Sequence, residues 1–145
     1  MVKRIGFTCS TFDLFHAGHV AMLEEAKTQC DWLIVGVQTD PSIDRPTKNK
    51  PVQNLIERQL QVRACKFVDE TIVYATEADL LALLCMLPID VRILGEEYEG
   101  KPFTGSHLKH MRYYFNKRSH GYSSSELRKR VANTENRNGS QEHES

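Results

Sequence analysis

The chain has 145 residues, of which 40% are hydrophobic and 26% are charged, a composition typical of one globular domain with a single core. Lysine plus arginine and aspartate plus glutamate number 19 each, so the formal net charge is zero and attracts neither nucleic acid nor an anionic membrane. The start of the chain is too polar for a secretory signal, and no apolar run reaches membrane-spanning length. These features predict a cytoplasmic protein that binds anions only locally.

The first half of the chain predicts a strand, a helix and a second strand. Near-continuous apolar runs at Lys3 to Cys9 and Trp32 to Val37 are typical of parallel strands buried on both faces. Between them, His19 to Gln29 has apolar residues at helical spacing and a polar outer face. The turn signal Asp40-Pro41-Ser42 ends the second strand, and the long polar segment from Ser42 to Asn54 is predicted to be a lid.

The second half repeats this alternation. We predict helices over Leu55 to Phe67 and Glu77 to Met86, and strands over Glu70 to Tyr74, Asp90 to Leu94 and Met111 to Phe115. The alternation predicts an α/β fold, a single-domain, doubly wound (Rossmann-like) parallel sheet flanked by helices. In such a sheet, ligands bind beyond the carboxyl ends of the strands.

The end of the chain predicts a short helix and a tail. Ser123-Ser124-Ser125-Glu126 is a capping box that opens a helix through about Val131. Residues 133–145 contain almost nothing apolar, so we expect a disordered polar tail after a domain of residues 1–132. Four scattered cysteines without a CxxC pair indicate reduced thiols with no chemical role, at Cys9, Cys30, Cys65 and Cys85.

The segment from Thr11 to His19 carries the clearest chemistry. It runs from the first strand into the first helix, where unpaired N–H groups and the helix dipole favour a phosphate. Gly18 has no side chain, so a nucleotide can approach the backbone closely. His16 and His19 are one helical turn apart and can face the same phosphate, which predicts phosphoryl chemistry.

Ser10 to His19 resembles the first motif of the cytidylyltransferase family and of the wider group of HxGH nucleotidyltransferases, nearest to the glycerol-3-phosphate cytidylyltransferase group. Arg118 to Ser125 is similar to the family's second motif, usually written RTxGISTT. Further segments resemble the family in the same order, at Lys48 to Val52, Glu57-Arg58, Val68 to Glu70 and Gly95 to Lys101. Ser119 and Tyr122 depart from the usual Thr and Ile of the second motif.

The resemblance implies direct in-line transfer of CMP from CTP to a small phosphorylated acceptor, with glycerol 3-phosphate as the default, release of pyrophosphate, Mg²⁺ bound with the triphosphate, and a homodimer. It implies catalytic roles for His16, His19, Lys48 and Arg118 and an acceptor contact for Arg58. It also implies nucleotide contacts by a larger set of residues: Ser10, Thr11, Phe12, Asp13, Gly18, Lys50, Gly95, Glu97, Ser119, Tyr122, Ser123 and Ser124.

Several alternatives remain open at this point. The two histidines could hold a metal, although no third ligand or Cys pair lies nearby in sequence. Gly95 to Lys101 nearly matches a Walker A loop, but Pro102 occupies the Ser/Thr position that magnesium needs. Adenylyl transfer from ATP and a non-catalytic nucleotide-binding protein are the rival functions. Asp13 could orient a histidine or help position the metal.

Overall fold

The computed structural model describes residues 3–117 and 121–143, apart from the side chains of residues 140–143. The strands and helices of this part alternate along the chain as β1 (Ile5–Ser10), α1 (Ala17–Lys27), β2 (Trp32–Gln38), α2 (Leu55–Ala64), β3 (Glu70–Tyr74), α3 (Glu77–Met86), β4 (Val91–Gly95), β5 (Arg112–Asn116) and α4 (Ser124–His143). A 3-10 turn at Glu96–Tyr98 follows β4.

The five strands form one parallel sheet in the order β3-β2-β1-β4-β5. The chain moves outward from β1 to β2 and β3 on one side, and then returns to place β4 and β5 on the other side. The strand order therefore reverses beside β1, and a crevice opens there beyond the carboxyl ends of β1 and β4. This topology confirms the predicted doubly wound α/β fold.

Two apolar clusters cover the two faces of the sheet. On one face, Leu23 of α1 and Val62 of α2 pack against strand residues such as Val35. On the other face, Leu80 and Leu84 of α3 pack in the cluster that contains Phe7. Because alternate strand residues enter opposite clusters, both faces are buried and the strands have the near-continuous apolar pattern of the sequence.

The element ends differ from the sequence predictions at a few positions. α2 ends at Ala64 rather than Phe67, because Cys65 leaves the helical conformation with φ −70° and ψ 125°. α1 begins two residues earlier than predicted, since His16 already caps it. None of the described helices is long and apolar enough to cross a membrane.

The last helix is the main correction to the predicted elements. Ser123 Oγ accepts from the N–H of Glu126 at 3.1 Å, as the predicted capping motif requires. The helix then continues to His143, so the predicted end near Val131 was wrong and residues 133–143 are helical rather than disordered. Residues 129–138 are exposed, so polar composition correctly indicated that this segment packs on no core. A capped helix without proline or glycine before Gly139 can still propagate.

Candidate active site

The HxGH histidines form a compact pair at the start of α1. The N–H of Gly18 donates to His16 Nδ1 at 3.0 Å, and the N–H of His16 donates to His19 Nδ1 at 3.1 Å. The two rings are stacked with centroids 3.9 Å apart. Since both Nδ1 atoms accept a hydrogen bond, each neutral ring carries its proton on Nε2. The pair therefore offers two Nε2–H donors.

Aromatic packing keeps His19 neutral. Its ring packs against both Phe12 and Phe15, with the His19 centroid 5.4 Å from the centroid of each ring. Burial, together with the neighbouring His16, lowers the pKa of His19 from 6.5 to about 4, although Asp13 opposes the shift. At neutral pH His19 is therefore an uncharged hydrogen-bond donor, and it does not act as a permanent cation.

The start of α4 lies against the histidine pair. Ser124 Oγ is 3.3 Å from His16 Nε2 and donates to the carbonyl of Asp13 at 3.2 Å. A Cβ placed on Gly18 would come within 2.7 Å of the His16 ring and 3.1 Å of Tyr122 Cβ. Gly18 is thus required for the close approach of the two motifs that the sequence places more than 100 residues apart.

Asp13 holds three segments together. Its carboxylate accepts from the N–H groups of Val52 and Gln53, both at 2.9 Å, and lies 3.0 Å from Nη2 of Arg128 on α4. Burial raises the pKa of this carboxyl, but the two N–H donors and the Arg128 charge outweigh burial and lower the pKa below its usual value. Asp13 thus anchors the end of the Ser42–Asn54 loop, which is neither of the two roles considered from sequence.

The backbone on each side of Asp13 is left-handed. Phe12 has φ 54° and Leu14 has φ 51°, values that non-glycine residues adopt at a cost of about 1–3 kcal/mol each. The N–H of Leu14 donates to Gln53 Oε1 at 2.8 Å, so the same loop supports the strained turn. The Phe12 side chain is 1% exposed and belongs to the core, so its predicted role as a nucleotide contact is wrong for the side chain.

Two adjoining cavities open beyond the strand ends. The first, about 680 Å³, contains the histidine pair and much of the predicted nucleotide set, namely Ser10, Gly18, Gly95, Glu97, Tyr122, Ser123 and Ser124. We call it the histidine cavity. The second, about 500 Å³, lies against α3 and contains Thr11 and Lys48 but neither histidine. We call it the side cavity. Ser10, Met22, Gly95, Glu97 and Asn116 line both cavities and form their junction.

The predicted cations do not all reach this site. Lys48 lines the side cavity. Lys50 lines neither cavity, and its charge contributes to lowering the pKa of Asp40. Arg118 and Ser119 lie outside the described residues. Sequence reasoning missed Lys117 in the histidine cavity and Arg92 in the side cavity. A charged residue inside the apolar run of β4 was a usable signal for Arg92.

The position of Arg58 disagrees with its predicted acceptor contact. Its side chain is buried, with 2% exposure, and its guanidinium donates at 2.5–3.1 Å to four backbone carbonyls, those of Thr11, Gln38, Thr39 and Gln53. Arg58 therefore ties the carboxyl ends of β1 and β2 to the Ser42–Asn54 loop. Arg58 lines neither cavity and supports the site only through these backbone contacts.

The described residues contain no cluster of three or more His, Cys, Asp or Glu side chains able to hold a metal. Both Nδ1 atoms of the histidine pair are already engaged by backbone N–H groups. A divalent ion fits better as a companion of a triphosphate, because Mg²⁺ usually keeps several waters and binds phosphate oxygens with only one or two carboxylates. Glu24, Glu96 and Glu97 line the histidine cavity and supply such carboxylates.

The fold and the site together define a doubly wound α/β protein with an HxGH histidine pair at its switch point. The chain belongs to the cytidylyltransferase-like family, whose model matches residues 7–130. This finding confirms the family expected from the two motifs.

Individual relatives agree with this assignment. Over 104 residues the chain is 36% identical to the bifunctional protein HldE of Rhodospirillum rubrum, covering 71% of this chain and 21% of that protein. Over 73 residues it is 44% identical to ethanolamine-phosphate cytidylyltransferase of Arabidopsis thaliana, covering 50% of this chain and 17% of that protein. The chain thus spans about a fifth of the length of these relatives.

Solved structures share the fold. The crystal structure of the lipopolysaccharide core biosynthesis protein from Thermoplasma volcanium has a TM-score of 0.68 at 21% identity, covering 82% of this chain and 100% of that one. Pantoate-beta-alanine ligase from Francisella tularensis has a TM-score of 0.52 at 19% identity, covering 67% of this chain and 51% of that one.

We predict that Arg58→Met lowers the free energy of unfolding by about 3 kcal/mol or more, since it leaves buried carbonyls without donors. Urea denaturation measures this loss. Arg63→Met, on the exposed face of the same helix, is the matched control and should change stability by less than about 0.5 kcal/mol. An Arg58→Met protein of unchanged stability with a raised KM for the acceptor would instead restore the direct acceptor role.

The neutral state of His19 predicts a pH-dependent stability. Between pH 6.5 and about 4 the unfolded chain binds a proton at His19 that the folded chain excludes. The free energy of unfolding should therefore fall as pH is lowered through this window, by at most about 1.4 kcal/mol per pH unit from this group. Urea titrations of wild type and His19→Gln should diverge across this window. Parallel pH profiles would contradict the burial of a neutral His19.

Proposed function

We propose that the protein transfers CMP from CTP to a small phosphorylated acceptor and releases pyrophosphate. The observation that carries this proposal is the histidine pair, whose Nε2–H donors lie beside the N-terminus of α4 in one cavity. The triphosphate occupies the histidine cavity, where backbone N–H groups at two helix starts favour anions. The family match and the cytidylyltransferase among the relatives support a cytidine nucleotide.

The side cavity takes the acceptor. It shares five residues with the histidine cavity, so a phosphate at the junction can reach the α-phosphorus of the nucleotide. An acceptor phosphate oxygen forms the new bond to the α-phosphorus, and the bond between this phosphorus and the bridging oxygen of the β-phosphate breaks. Pyrophosphate leaves with the electron pair, and no covalent enzyme intermediate forms.

The protein residues act by stabilising charge. His16 and His19 donate Nε2–H to the α-phosphate oxygens as negative charge increases there, and His16 gives up its contact with Ser124 to do so. Lys48 supplies a cation from the Ser42–Asn54 loop. Glu24, Glu96 and Glu97 would hold Mg²⁺ together with the triphosphate, and the ion would offset the repulsion between these carboxylates and the phosphates.

A pyrophosphate-release screen tests the reaction and its substrates. Each of the four nucleoside triphosphates is combined with a panel of phosphorylated polyols, sugars and amino alcohols, beginning with glycerol 3-phosphate. We expect release with CTP that depends on the acceptor. Equal or greater release with ATP would replace cytidylyl with adenylyl transfer, and no release with any pair would favour a non-catalytic nucleotide-binding protein.

The triphosphate and acceptor that react in this screen are then used to test the histidines. His16→Ala and His19→Ala should each lower kcat by about a hundredfold or more, because each removes a hydrogen-bond donor to the transition state. Far-UV circular dichroism and the melting temperature should show that both variants stay folded. His107→Ala, at an exposed position outside both cavities, is the control and should keep wild-type turnover. Full turnover in both HxGH variants would end the catalytic assignment.

A further inference from the structure

The side cavity contains a buried arginine that the proposed reaction does not use. Arg92 is the second residue of β4, lies in register with Phe7 of β1, and is only 4% exposed. Its neighbours Val91, Ile93 and Leu94 are ordinary buried strand residues. A buried charge normally needs a partner of opposite charge, because desolvation of an unpaired ion is costly.

The described residues give Arg92 only neutral partners. Nη1 donates to the carbonyl of Thr104, and the guanidinium lies 5.2 Å from the centroid of the Phe103 ring. Nε is buried and has no hydrogen-bond partner among the described residues. The three ion pairs of that same part of the chain do not include Arg92. Cys9 also contacts the guanidinium, which is therefore held in place by neutral groups and forms no ion pair with a described carboxylate.

Neither of the two carboxylates of the side cavity forms an ion pair with Arg92. Glu77 Oε1 lies 3.3 Å from Nη2 of Arg45, and Glu77 Oε2 accepts from Thr104 Oγ1 at 2.8 Å. Glu97 folds back over Gly95 at the junction of the cavities. Arg45, Lys48 and Arg92 together with these two acids leave the cavity with an excess of positive charge.

Asn116 is a second unsatisfied group at the same place. It ends β5 at the junction and is 6% exposed. Neither its Nδ2 nor its Oδ1 atom has a hydrogen-bond partner within the described ranges. Buried polar atoms are nearly always paired, so a donor and an acceptor facing a cavity indicate that a polar ligand completes them.

We propose that Arg92 binds a second anionic group of the acceptor, a carboxylate or a phosphate, at the end remote from the reacting phosphate. We assign Arg92 to the remote end of the acceptor because it lines only the cavity that lacks the two histidines. Lys48 and Arg45 add positive charge, and Asn116 binds polar groups between the two ends. This inference rests on the proposed function, which assigns the side cavity to the acceptor.

Matched acceptors test the inference in the wild-type protein. Glycerol 3-phosphate, 3-phosphoglycerate and glycerol 1,3-bisphosphate differ at the remote end, which is a hydroxyl, a carboxylate or a second phosphate. We expect kcat/KM for at least one of the two doubly anionic acceptors to exceed that for glycerol 3-phosphate by about tenfold or more, the scale of one charge-assisted hydrogen bond. The acceptor with the higher kcat/KM shows whether Arg92 prefers a carboxylate or a phosphate. Equal or lower values for both would overturn the proposal.

Variants of Arg92 test whether this residue causes the preference. Arg92→Met should abolish the preference by raising the KM of the anionic acceptor while leaving the KM of the triphosphate unchanged, and Arg92→Lys should restore part of it. Arg112→Met, an exposed arginine of β5 outside both cavities, is the matched control and should keep the preference. A preference that persists in Arg92→Met would contradict the assignment.

A binding measurement separates this inference from the proposed reaction. Without nucleotide, 3-phosphoglycerate or glycerol 1,3-bisphosphate should raise the melting temperature of wild type and of Arg112→Met but not of Arg92→Met. If this pattern appears while no pair of substrates releases pyrophosphate, the anion site stands and the proposed function fails. If pyrophosphate is released and no anionic compound stabilises the protein, the anion site fails alone. Should Arg92→Met not fold, the acceptor comparison in wild type decides.

Discussion

The arrangement of the site depends on one buried carboxylate. Asp13 accepts hydrogen bonds from Val52 and Gln53 and pairs with Arg128, so the first motif, the end of the Ser42–Asn54 loop and α4 meet at one side chain. Two of the donors are consecutive residues of the loop and the third lies on α4, so the carboxylate joins segments that are far apart in the sequence. Because the Asp13 side chain is 8% exposed, solvent and salt screen its interactions only weakly, and these interactions fix the relative positions of the three segments.

This constraint explains the local strain. The left-handed turns at Phe12 and Leu14 turn the chain sharply between β1 and α1, and the contacts of Asp13 and Gln53 hold the turn in that form. This turn also fixes His16 at the N-cap of α1, where its Nδ1 accepts a hydrogen bond from the N–H of Gly18. Arg58 supports the same region from the core through the carbonyl of Thr11. The histidine donors are thus preorganised, which is the main requirement for stabilising charge on a phosphate.

Sequence reasoning predicted the fold class and the family, because hydrophobic periodicity and an ordered set of motifs are local signals. It failed for the arginines. Helical spacing places Arg58 on a helix, but only the tertiary structure shows that the guanidinium turns inward to strand-end carbonyls. Arg92 was read as part of an apolar strand, and its unpaired charge becomes visible only when Glu77 is seen to bind Arg45 and Thr104. The length of α4 was also predicted wrongly. Polar composition indicates that a segment packs on no core, but it does not determine whether the backbone is helical.

A double-mutant cycle on Asp13 and Arg128 tests the central claim most directly. Asp13→Asn, Arg128→Gln and the double variant are compared by kcat/KM for the active substrate pair. If the two side chains act together to place α4 beside His16, the loss in the double variant should be smaller than the sum of the single losses by more than about 0.5 kcal/mol. Losses that add within that margin would mean that Arg128 does not act through Asp13, and would contradict an active site assembled around this carboxylate.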